Sequence, residues 1–134
     1  MAADDSGTRY PDIEVYLARA DLEALNAWLV ETLDAVPLAA AGKHRWRTRG
    51  SHGGVEIPVL LVDKAADGFA SLWLDSPETP WPTDADCARE AADRLGCEVR
   101  CSLGGWQPGD DPDRFLRVLP DGSEATIDWP DSGQ

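Results

Sequence analysis

The chain predicts an α+β domain in which two helices pack on one face of a mostly antiparallel sheet. Three observations carry this. Apolar residues alternate with polar ones in several short runs, recur at spacings of three and four in two others, and are separated by stretches rich in Gly, Pro and Asp. The predicted order is β-α-β-β-β-α-β followed by a hairpin. Its nearest common architecture is the ferredoxin-like βαββαβ sandwich with extra strands. At 134 residues the chain is the size of one domain and long enough to bury a core. Residues 1–11, small and polar up to Pro11, read as a flexible N-terminal arm, and residues 12–130 as a single α+β domain.

The first strand follows from Ile13, Val15 and Leu17 alternating with Glu14 and Tyr16. Asp21 then offers an N-cap, and Leu22, Leu25, Trp28, Leu29 and Leu33 line one face of a helix over about 22–35, with Pro37 helping to end it. From Lys43 the pattern alternates again as a strand, GSHGG reverses the chain, and residues 55–62 form the next strand. Consecutive Leu60, Leu61 and Val62 predict cover on both faces there, while Pro58, which has no N–H, predicts a bulge or an edge position. Asp67-Gly68 makes another turn into a third strand over residues 69–75.

Thr83 and Asp86 resemble a capping box, and Ala88, Ala91, Ala92 and Leu95 give residues 84–95 a small-residue helical face ending at Gly96. Residues 97–102 read as a short strand. Pro120-Asp121-Gly122 then turns a final hairpin between residues 115–119 and 125–129.

Charge is the outstanding global property. The formal net charge is −13, yet residues 43–54 carry four bases and no acid. A field of this sign keeps a protein soluble, repels nucleic acid and anionic membrane, and favours basic partners. No run approaches eighteen apolar residues, so no membrane span is expected, and MAADDSGTRYP lacks the pattern of a secretory signal. Three cysteines without disulfide-like spacing fit a reducing compartment, and the expected location is cytoplasmic.

No catalytic or metal-binding signature is legible, so whether the chain is an enzyme stays open, and neither a metal nor a cofactor is called for. Cys97 and Cys101 lie about 13 Å apart on a strand, beyond one disulfide or one metal ion. Cys87 near a helix N-terminus is offset by Asp84 and Asp86 and reads as structural. His44 and His52 belong to no metal-ligand spacing. Pro112 breaks the run Asp110, Asp111 and Asp113, which lacks the EF-hand pattern. The glycines at 50, 53 and 54 form no phosphate loop.

Two features remain as candidate binding determinants. On a strand, Lys43, Arg45, Arg47 and Arg49 project from one face, where they either are compensated by Glu14, Glu56 and Asp75 or form a docking strip for an anion. Trp81, Trp106 and Trp129 sit in loops or at strand ends, where they either anchor an interface or fold back to plug the open sheet face. Tyr16 and Trp73 fall on that same open face and, beside the arginines, resemble weakly the stacking platform of single-strand RNA binders. Three classes of function follow. The leading one is a protein-protein interaction or inhibitor-type protein with an unknown protein partner. The others are a binder of an anionic ligand or single-stranded nucleic acid through residues 43–49, with nucleic acid opposed by the total charge, and a small-molecule binder or enzyme with a site between the sheet and loop 103–113. A homodimer through the open sheet face is also compatible with the pattern.

Overall fold

The elements alternate as the periodicity requires, with one addition. The structure, a computed structural model, describes residues 10–19, 21–103 and 114–129. In chain order the elements are β1 (Ile13–Leu17), α1 (Leu22–Leu33), β2 (Ala39–Gly42), β3 (Arg45–His52), β4 (Val55–Ala66), β5 (Phe69–Leu74), α2 (Asp84–Leu95), β6 (Val99–Ser102), β7 (Arg114–Val118) and β8 (Glu124–Asp128). All eight strands form one antiparallel sheet in the order β2-β3-β4-β5-β1-β6-β7-β8. This order differs from that of a four-stranded βαββαβ sandwich, because β2 and β3 enter between α1 and β4 and β7 and β8 follow β6. Strand β2, of sequence AAAG, is the unforeseen element. Alanine and glycine have little β-propensity, and here pairing with β3 decides the conformation.

Both helices lie on one face. Asp21 caps α1 by accepting from the N–H groups of Glu23 and Ala24, and Asp34 ends the helix in the left-handed region at φ 53°. The helix therefore stops before Pro37 and two residues short of the predicted end. Thr83 caps α2 through its bond from Asp86 N, and Gly96 closes it at φ 65°. Ala88, Ala91 and Ala92 are completely buried, so α2 sits close against the sheet. Inward residues Ile13, Val15, Leu17, Ile57, Val59, Leu61, Leu72, Leu74, Val99 and Cys101 meet Leu25, Trp28, Leu29 and Leu33 in one apolar core. Burial of each such side chain stabilises by roughly 1.5–3 kcal/mol.

Trp81, expected in a loop as an interface anchor, belongs to this core instead. It packs on Trp28 with ring centroids 5.3 Å apart and is 4% exposed. A single carboxylate explains why two indoles can be buried side by side. Glu90 accepts from Trp28 Nε1 at 2.8 Å and from Trp81 Nε1 at 3.0 Å, tying α1, α2 and the loop before α2 together. Arg94 and Glu31 add an ion pair between the helices. As placed, the Trp81 ring is not available to a partner.

Pro58 is accommodated without a bulge of its own. Its carbonyl accepts from Asp75 N, one residue beyond the end of β5, so the missing N–H lies where the β4–β5 ladder has already ended. The ladder irregularity falls further along, between Val62 and Ala66, where Lys64 has φ 53°. The β3–β4 reversal uses only Gly53 and Gly54, both with positive φ. Gly50, by contrast, is a strand residue pressed against α1, and a Cβ there would lie 2.6 Å from Leu33 Cβ and 2.8 Å from the Leu33 carbonyl oxygen. No helix among the described residues is long and apolar enough to cross a membrane.

Two outcomes test this packing by urea unfolding. Gly50→Ala is expected to cost about 1–3 kcal/mol through overpacking against Leu33. Glu90→Ala is expected to cost about 2–4 kcal/mol, because it strands two buried indole N–H groups. Midpoints unchanged from the parent would refute these assignments.

Candidate functional site

The sheet face opposite the helices divides into two halves with different fates. Register places Phe69, Tyr16, Arg100, Arg117 and Phe115 on this open face. In that half the rings of Tyr16, Phe115 and Trp129 are buried together, with Phe69 packed against them. Trp129, just past β8, stands 5.1 Å from the Phe69 ring on β5. Four strand spacings separate β8 from β5, about 19 Å across a flat sheet. The sheet must therefore curl toward this side. Arg100 lies inside the curl, with its guanidinium 4.5 Å from the Phe69 ring centre and 4.7 Å from that of Trp129, and its Nε donates to Glu98. Trp129 is thus a plug for the open face rather than an exposed anchor, and Tyr16 goes under it. Burial, with the Glu14 carboxylate alongside, pushes the Tyr16 phenol up to about 12.

The other half, over β3, β4 and β5, stays exposed. Arg45, Arg47 and Arg49 alternate with Trp46, Thr48 and Gly50, and register opposite Val62, Leu60 and Pro58 puts the arginines on the open side. Trp46 and Thr48 turn to the helix side, where Thr48 Oγ1 donates to the Val36 carbonyl. Lys43 departs from expectation. Because the chain reverses between β2 and β3, Lys43 and His44 form the turn, His44 takes φ 60°, and Lys43 is exposed beside the row but not on its strand.

Next to the arginines runs an apolar strip of Pro58, Leu60 and Trp73. With Arg47, Val59 and Asp75 these line a shallow concavity of about 90 Å³. Trp73 is half-buried and held by its Nε1 bond to Asp12 at 2.7 Å. Glu14 is occupied by the Ser71 hydroxyl at 2.7 Å.

Of the three carboxylates expected to compensate the row, only Glu56 does so, in a 3.3 Å pair with Arg49 whose side chains are 72% and 59% exposed. An exposed pair of this kind contributes about 0.2–1 kcal/mol and does not lock the guanidinium. Among the described residues Arg45 and Arg47 have no ion pair within 4.0 Å. Neighbouring arginines two apart on a strand stand roughly 7 Å apart and repel by about 0.6 kcal/mol in a water-like dielectric. An arriving anion relieves that repulsion.

Groups suited to chemistry are placed elsewhere. Cys87, Cys97 and Cys101 are free and buried; burial pushes the Cys87 thiol well up and that of Cys101 to about 12, so neither is an activated nucleophile. His52 Nδ1 lies 2.9 Å from the Glu78 carbonyl oxygen, and His44 is exposed in its turn. No three His, Cys, Asp or Glu side chains among the described residues are grouped to hold a metal ion. Trp106, Asp110, Asp111 and Asp113, with most of loop 103–113, lie outside the described residues.

Comparison with protein-family models, with curated proteins and with solved structures finds no match.

Sequence reasoning missed two groups. Arg100 meets Phe69 and Trp129 only through the curl, which has no local signal. Asp84, at the first turn of α2, is 7% exposed and accepts from Glu14 N at 3.1 Å. Burial, only partly opposed by that bond and reinforced by the Asp12 and Glu14 carboxylates, raises its carboxyl to about 7. The folded protein thus keeps a proton that the unfolded chain releases near pH 4. The cost is absent below that point, grows as pH rises from about 4 to 7, and is complete above. Asp84→Asn keeps the acceptor for Glu14 N and removes the charge. It is expected to match the parent near pH 4 and to exceed it at pH 8, by on the order of 4 kcal/mol at most. Urea unfolding at both pH values measures this, and a pH-independent difference would reject it.

Proposed function

We propose that this domain is an interaction protein that recognises an acidic segment of a partner protein on the exposed half of its open sheet face. The observation that carries the reading is the arginine row. Arg45, Arg47 and Arg49 share one side of β3, two of the three have no ion pair among the described residues, and the strip of Pro58, Leu60 and Trp73 lies directly beside them. Guanidinium groups spaced along a strand suit carboxylates spaced along another extended chain, and the apolar strip supplies burial between charged contacts. Although the whole molecule is strongly acidic, screening limits that field to about 8 Å at physiological salt, so the local cations govern the final approach.

Single-stranded nucleic acid fits less well. Of the two rings a stacking platform would use, Tyr16 is covered by Trp129 and Trp73 is tethered to Asp12. A homodimer across the whole open face would have to displace the Trp129 plug. Within this reading the domain works in the cytoplasm, consistent with three unpaired cysteines. We read the inner strands β6-β1-β5-β4, with α1 and α2, as a split β-α-β core of ferredoxin-like type, extended at its edges by β2–β3 and β7–β8; the sheet order supports this.

The test uses a dye-labelled octapeptide of alternating Glu and Thr, followed by fluorescence anisotropy at low salt. Binding is expected, weakening as salt rises, and Arg45→Glu with Arg47→Glu is expected to lower affinity by about tenfold or more, near 1.4 kcal/mol. The reading is overturned if the peptide does not bind, if the double variant binds as well as the parent, or if a uridine octamer binds more tightly than the peptide.

A further inference from the structure

The two edges of the sheet are unlike. At one end β8 presents Glu124 and Asp128, and Glu124 is engaged by Arg89 of α2 at 2.8 Å. At the other end β2 presents Ala39, Ala40, Ala41 and Gly42, all exposed, with no charge and no proline. Unpaired strand edges are templates for another strand, and charge is one of the usual protections. Only a register shift between Ala40 and Gly42 interrupts β2, and among the described residues β3 is the one strand that pairs with it.

Backbone direction follows from the register. The Arg49 carbonyl accepts from Val36 N, on the β2 side of β3, so alternate residues of β3 direct their backbone groups toward β2. Ala39, opposite Arg47, therefore turns its N–H and carbonyl inward, and Ala40 turns its own outward. The side chains complete the picture. On the open face Ala39 lies opposite Arg47 and Gly42 opposite Arg45. These are the smallest residues available, so nothing on β2 stands between the two guanidiniums and the sheet edge.

Resting on the interaction reading above, we infer that the acidic partner segment docks as a ninth strand along β2, its backbone pairing with Ala40 and its carboxylates reaching across Ala39 and Gly42 to Arg47 and Arg45. Main-chain bonds supply attachment and alternate side chains supply selectivity. The same segment is rejected at the opposite edge by Glu124 and Asp128. A second copy of this chain is a poorer occupant of β2, because it brings a like arginine row and a like net charge of −13.

The test follows the Ala40 amide by hydrogen exchange and measures binding of the Glu–Thr octapeptide to Ala40→Pro, which removes the outward donor while leaving both arginines in place. Expected are slowed exchange at Ala40 in the parent on adding peptide and at least tenfold weaker binding to the variant, with thermal unfolding confirming that the variant is folded. Peptide binding with unchanged Ala40 exchange, or with full affinity for a folded Ala40→Pro, overturns edge docking but leaves recognition by the open face standing. Loss of binding in the parent removes both. A dimer without peptide that Ala40→Pro dissolves would assign the edge to a second copy and overturn the acidic occupant. Exchange in the parent alone decides the matter if the variant does not fold.

Discussion

A sheet whose described helices all lie on one side must do something with its other side, and this constraint organises the molecule. Eight strands give an area too large to leave uniformly apolar and exposed. The chain answers by curling one half around Arg100, so that the guanidinium rests in the corner between the touching Phe69 and Trp129 rings while Tyr16 and Phe115 complete a small second core. The remaining half is polar by virtue of β3. Its chemistry is therefore what is left after the fold has used the other half for its own stability.

The same division explains why two arginine sets behave differently. Arg100 is largely buried, paired with Glu98 and held against two rings, so its charge serves the fold. Arg45 and Arg47 stand in water on a strand one place from the sheet edge, with Arg49 only loosely held by Glu56. Identical residue types are thus drawn into the fold or left in water according to whether the sheet closes over them.

Much of the architecture was legible because it is local. Period-two alternation places Ile13, Val15 and Leu17 inward, spacings of three and four place Leu25, Trp28, Leu29 and Leu33, and Asp21, Thr83 and Gly96 mark helix ends through their capping chemistry. The common side of Arg45, Arg47 and Arg49 was legible for the same reason. What escaped is non-local. AAAG has no strand signal until β3 is beside it, and this moves Lys43 into a turn. The burial of Trp81 depends on Glu90 nine residues later and on Trp28 in another helix. Trp129 looks like an exposed strand end until the curl brings it to Phe69.

Gly50, in the β3–β4 hairpin, acts on register. A shift of one residue along β3 would turn the arginines toward α1 and Trp46 toward water. It would also bring a side chain to the spot where Leu33 tolerates none. A misaligned β3 is thereby penalised twice, by Trp46 in water and by crowding at Leu33. The outward cations are as much a product of this folding veto as of their own spacing.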